Sequence, residues 1–142
     1  MRIDFEIEQF PLETKDHRLI TDTEGFIRVT MGSSKLFEAS ELLLVELAIF
    51  MQGWLQLKAQ KCGDFYYRSM DFEEEPILAF LYAPGEGLYR FQSVWSLSPG
   101  ACISLEDVAS AFREYVDRLS VEVYQRCGAD LAQRMQEVID SW

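Results

Sequence analysis

Ile77-Leu78-Ala79-Phe80-Leu81-Tyr82-Ala83-Pro84-Gly85-Glu86-Gly87-Leu88-Tyr89-Arg90-Phe91-Gln92 reads as a strand, a tight turn and a returning strand. Ile77 to Tyr82 is a short, continuously apolar run. Pro84-Gly85-Glu86-Gly87 gathers turn formers, and Leu88 to Ser96 supplies the return arm. Strands joined this closely pair antiparallel, because a parallel pair needs a crossover of a dozen or more residues. The hairpin therefore sets the class as α+β rather than a wound parallel sheet.

Working outward, the same meander logic recurs. Residues 2 to 8 read as a strand in which Ile3, Phe5 and Ile7 alternate with Asp4, Glu6 and Glu8, and Pro11 ends it. Arg18 to Thr21 is a candidate short strand within a polar stretch, and Glu24-Gly25 turns the chain into a strand from Phe26 to Met31. Ser40 is the candidate N-cap of a helix from Glu41 to Lys58, with Leu43, Leu47, Phe50, Trp54 and Leu57 at helical spacing. Leu42 to Met51 is apolar nearly all round, interrupted only by Glu46, so this helix must be covered on more than one side.

A further strand is expected over Phe65 to Phe72. After Pro99-Gly100 breaks the pattern, Ser104 followed by Glu106 and Asp107 marks the start of a helix with Val108, Phe112, Tyr115, Val116, Leu119 and Val123 inward. Cys127-Gly128 ends or kinks it, and Leu131, Met135, Val138 and Trp142 stripe a last helical segment. The expected architecture is a single domain over residues 1–142, with an antiparallel β-sheet of about five to six strands and two to three helices packed on it, in the order βββ-α-βββ-α(α).

The chain has 142 residues, 49% hydrophobic and 13% aromatic, enough for a core without metal or disulfide support. A formal net charge of -11 argues against nucleic acid and anionic membrane surfaces, both of which repel it. Three widely spaced cysteines, Cys62, Cys102 and Cys127, form no CxxC pair and suit reduced thiols in a cytoplasmic protein; the latter two read as small core residues. The N-terminus lacks the apolar run of a signal peptide, and the longest apolar stretch is about half the roughly 20 residues that span a bilayer.

The charge concentrates in Asp71-Phe72-Glu73-Glu74-Glu75-Pro76. On an extended backbone Asp71, Glu73 and Glu75 project to one face, within reach of a basic patch or a hard cation. The competing reading is a solvated strand end kept unpaired by like charge. In the neighbouring triplet Phe65-Tyr66-Tyr67 both parities cannot share one core, so Tyr66 is the candidate outward anchor, against a placement under the C-terminal helix. The expected partner-binding set is Tyr66, Asp71, Glu73, Glu74, Glu75 and Glu86. Arg68 and Arg90, on strands expected to be adjacent, either bracket an anion or pair with the acidic run. His17, in a polar loop, has no nucleophile in recognisable context, and Gly85 and Gly87 belong to a turn rather than a phosphate loop. No catalytic residue, metal site or cofactor is expected.

Residues 63 to 78, with the arm Phe91-Gln92-Ser93-Val94-Trp95-Ser96, resemble small bacterial proteins of the polymorphic-toxin immunity families. The resemblance covers about a third of the chain. It implies a cytoplasmic, non-enzymatic antidote that neutralises a cognate toxin by direct binding, and acidity suits an inhibitor of a basic toxin domain. Two other classes stand beside it. One is a dimeric acidic chaperone or adaptor for a secreted effector, using Leu42 to Met51 as its subunit interface. The other is a divalent-metal enzyme built on Asp71, Glu73 and Glu75.

Overall fold

The hairpin is present, and strands and helices segregate along the chain as an α+β protein. The computed structural model describes residues 1–11, 15–96 and 100–141, so Pro99 and Trp142 lie outside the described residues. The elements are β1 (Arg2–Gln9), α1 (Asp16–Asp22), β2 (Glu24–Met31), β3 (Ser34–Leu43), α2 (Leu44–Leu57), a 3-10 turn (Ala59–Lys61), β4 (Phe65–Tyr67), β5 (Leu78–Ala83), β6 (Leu88–Gln92), β7 (Cys102–Ile103), α3 (Leu105–Cys127) and α4 (Ala129–Ser141).

The described strands divide between two antiparallel sheets, β1-β2-β3 and β4-β5-β6-β7, rather than joining in one. In the first, Ile3 opposes Val29 and Phe5 opposes Ile27; Ile3, Ile27 and Val29 are buried and the half-buried Phe5 packs against the core. In the second, Phe80 lies between Phe65 and Phe91. The short β7, absent from the expected order, extends that sheet by setting Ile103 against Tyr89.

Helices α2 and α3 join the two sheets. Phe112 of α3 packs edge-on to Trp54, Phe65 and Phe80, with ring centroids 5.3, 4.6 and 5.6 Å away. One turn later Tyr115 meets Phe5 of β1 and donates its hydroxyl to the Leu44 carbonyl at 2.8 Å. The inward stripe expected for α3 is buried throughout, and the Ser104 hydroxyl accepts the Asp107 amide at 3.1 Å as its N-cap. The last helical segment is α4, with Met135 and Val138 buried.

Four local expectations are corrected. Arg18 to Thr21 is helical, not a strand: α1 buries Leu19 and Ile20, pairs Arg18 with Asp22 at 3.7 Å, and is braced by a contact between Asp16 and Arg134 of α4. The second helix starts at Leu44, not Glu41, because β3 runs on through a bulge in which Ser40 and Glu41 oppose the single residue Phe26. Glu41 holds the bulge at φ 59°, and the Thr23 carbonyl, rather than Ser40, accepts the Leu44 amide at 3.0 Å. The strand expected over Phe65 to Phe72 stops at Tyr67. The return arm stops at Gln92, where the Ser93 hydroxyl accepts the Trp95 amide at 3.1 Å and the Pro76 carbonyl accepts that of Val94 at 2.9 Å.

Gly25 lets the first sheet close on α2. A Cβ there would sit 2.1 Å from the Glu6 carbonyl oxygen and 2.9 Å from Leu44 Cδ1. Most of the apolar surface of α2 is used inside the chain: Leu44, Val45, Leu47, Ala48, Met51 and Trp54 are buried, while Ile49 and Phe50 are half-buried.

Candidate protein-docking surface

Glu46 is the only charged residue in the apolar run from Leu42 to Met51, and among the described residues it is the buried charged side chain, 5% exposed. Tyr67 at the end of β4 donates its hydroxyl to Oε1 at 2.8 Å, and the Met70 amide donates to Oε2 at 3.2 Å. The Ser69 hydroxyl accepts the Asp71 amide at 3.2 Å. These bonds draw the chain after Tyr67 off its extended path and fold it over α2, which is why the strand ends there. Burial, then the Glu46 charge, raises the ionisation of the Tyr67 phenol far above its ordinary range, so Tyr67 stays a donor.

Asp71, Glu73 and Glu75 therefore do not project alternately from a strand. The structure carries Asp71 instead to a cluster assembled from four other places: Glu8 on β1, Asp22 at the end of α1, Glu24 opening β2 and Glu41 at the bulge of β3. The Glu24 carboxyl is held above its usual range, first by burial and then by the charges of Asp71, Glu41, Asp22 and Glu8. Among the described residues only Asp22 of this group has an ion-pair partner, Arg18. Glu73, Glu74 and Glu75 are exposed on the same loop, without ion pairs among the described residues. No three His, Cys, Asp or Glu residues among those described are grouped as a metal's ligands would be, and that includes the proposed carboxylate triad.

Next to the cluster is a cavity of about 350 Å³ lined by Ile20, Glu46, Ile49, Phe50, Arg68, Ser69 and Met70. A second hollow, about 310 Å³, continues along α2 past Gly53 and Leu57 to Phe65 and Tyr66, and shares Ile49 and Phe50 with the first. The two adjoin at Ile49 and Phe50 and are taken together as a groove along α2, walled by β4 at one end and by the loop that follows β4 at the other. Its rims expose apolar surface: Leu57 is 74% exposed, Met70 63% and Tyr66 43%. Tyr66 faces outward while Phe65 and Tyr67 are buried, as strand alternation requires. It is not under the C-terminal helix.

Glu86 does not join this surface. It sits in the turn between β5 and β6, at the far end of β5 from the acidic loop, and pairs with Arg90. Six residues of strand separate the two ends, about 20 Å. Cys102 is exposed rather than core, its sulfur 3.6 Å from Glu86 Oε2, while Cys62 and Cys127 are half-buried; all three are free thiols. Arg68 and Arg90 are not on adjacent strands, since β5 lies between β4 and β6. Arg68 stands exposed at the cavity mouth without an ion pair among the described residues. His17 is exposed on α1.

Residues 3–125 match the family described as a domain of unknown function (DUF7878). The chain belongs to that family. The matched span runs from β1 almost to the end of α3, so the DUF7878 domain holds both sheets, the acidic cluster and the whole groove, and α4 follows it. No curated protein and no solved structure matches the chain.

The sequence marks Glu46 only faintly. Its signal is a lone charge inside ten otherwise apolar residues, a position that demands hydrogen-bond partners from elsewhere in the fold.

Proposed function

We propose that this DUF7878 protein is a non-enzymatic binding protein whose acidic face docks on a basic protein partner, and that it acts as an immunity protein neutralising a bacterial toxin. One observation carries the reading: five segments gather Glu8, Asp22, Glu24, Glu41 and Asp71, so that the Glu24 carboxyl, raised first by burial, is raised further by the charges of the other four, with a cation supplied to Asp22 alone among the described residues. Like charges gathered in this way oppose folding and are relieved when an opposite charge docks. They also steer association with a basic surface, faster at low salt. Met70, exposed next to Asp71, and Tyr66, exposed farther along the groove, supply the apolar contact that such interfaces use as anchors. A cytoplasmic location accords with three free thiols, and among the described residues no helix is long and apolar enough to cross a membrane.

The chaperone alternative would have to use the part of α2 that lines the groove, since the rest of its apolar face is buried. The metal-enzyme alternative lacks a ligand group among the described residues. The test is co-purification with the product of the adjacent gene, together with protection of cells that express that product. A stable complex that weakens with salt and with Glu24→Lys plus Asp71→Lys is expected. Absence of both complex and protection refutes the immunity reading.

A further inference from the structure

Resting on that reading, we propose that the cavity at Glu46 receives a lysine or arginine side chain from a partner segment lying in the groove between α2 and β4. Its aliphatic stem packs on Ile49, Phe50 and Met70, and its charged head meets the Glu46 carboxylate.

Charge complementarity and shape together support this occupant. Glu46 is 5% exposed and takes one hydrogen bond on each oxygen, from the Tyr67 hydroxyl and the Met70 amide, while a carboxylate has about four acceptor positions. It has no ion pair among the described residues although it borders a cavity of about 350 Å³ whose other walls are mainly apolar. A long side chain with an apolar stem and a cationic tip matches such walls and floor. The acidic cluster at one end favours a basic segment over an acidic one. The groove then continues for two turns of α2, about 11 Å, enough for three or four extended residues. Gly53 keeps its floor low: a Cβ there meets nothing within 4 Å. Arg68 at the mouth is the like charge that the incoming group must displace.

The probe is an acetylated, amidated hexapeptide carrying one lysine and two leucines among glycines, titrated into the full chain while the amide resonance of Met70 is followed. Saturable movement of that resonance is expected, with affinity at least about tenfold weaker when norleucine replaces lysine or when Glu46→Gln is used. Gly53→Leu, which suits a helix and fills the groove, should abolish binding in a folded protein, and Arg68→Gln should strengthen it a few-fold. Binding that is unchanged by Glu46→Gln and Gly53→Leu but lost in Glu24→Lys plus Asp71→Lys overturns the cavity assignment and leaves the acidic docking face standing. Preference for a glutamate-containing peptide, with loss in Arg68→Gln, overturns it in favour of an anionic ligand. No binding of any basic peptide to either region counts against both.

Discussion

Replacing Glu46 by alanine removes the acceptor for two donors at once, the buried Tyr67 hydroxyl and the Met70 amide. A hydrogen bond to a charged acceptor contributes about 1.5–3 kcal/mol, and a buried donor left without one carries its full desolvation cost. Relief of the buried carboxylate's own desolvation offsets part of this. The expected net loss is about 3–5 kcal/mol, or about 10–15 °C in Tm for a domain of this size. Glu46→Leu combined with Tyr67→Phe should recover most of that loss, because exchanging both partners for apolar groups of similar shape strands no hydroxyl. Only the Met70 amide would need solvent. Urea unfolding followed by tryptophan fluorescence reads these differences, since Trp54 is buried against Phe65 and Phe112. Hydrogen exchange at Met70 reads whether the loop has come away from α2. A Glu46→Ala loss below about 1 kcal/mol, or a double variant no more stable than the single one, would refute the claim that this carboxylate holds the loop.

Gly25→Ala places a methyl against the Glu6 carbonyl at 2.1 Å, so β1 and β2 must separate; a loss of about 3 kcal/mol or failure to fold is expected, checked by thermal melting. Glu41→Gly should stabilise by about 1 kcal/mol, since the left-handed backbone at φ 59° costs a side chain that much, while binding of a basic partner weakens; chemical denaturation and titration measure the two effects on one variant. Burial raises the phenols of Tyr67 and Tyr115 far above their ordinary range, and burial with the nearby Cys62, Asp64 and Tyr82 pushes Tyr89 up to about 12. The unfolded chain thus loses these protons first, near pH 10, so stability from this source is intact below that pH and falls as pH rises beyond it. Denaturation midpoints measured from pH 8 to 11.5 should stay level and then drop.

Local signals were legible in the sequence and long-range ones were not. The turn at Pro84-Gly85-Glu86-Gly87, the Ser104 cap and the stripe from Val108 to Val123 each depend on residues within a few positions of one another, and each took its expected form, although the hairpin's return arm is shorter than expected. The seven-residue α1 has too few turns to show a period, and its helix rests on cover from α2 and α4. The bulge at Glu41 has no local sequence signal, because glutamate is not a residue that marks left-handed backbone, and the start of α2 depends on that bulge. In the candidate surface, alternation with Phe65 and Tyr67 put Tyr66 on the opposite face but could not say whether a helix covers it; its exposure decides that. The acidic cluster has no such local signal, because Glu8, Asp22, Glu24, Glu41 and Asp71 meet only through the topology. The charge run lies on a loop rather than on the expected strand, and the hydrogen bonds to Glu46 accompany that departure.

The outer strands bear on how this protein behaves at high concentration. In the second sheet they are β4, three residues, and β7, two residues, too short to template a foreign strand. In the first, β3 is broken by two register shifts and β1 alternates charge, while Arg118 of α3 reaches in to take the Ile3 carbonyl at 3.0 Å. Each margin where backbone pairing with a second copy would begin is thus curtailed, kinked or occupied. The molecule can present a half-apolar groove to solvent without inviting fibrous self-assembly through its strand edges, so what stickiness it has is confined to side chains.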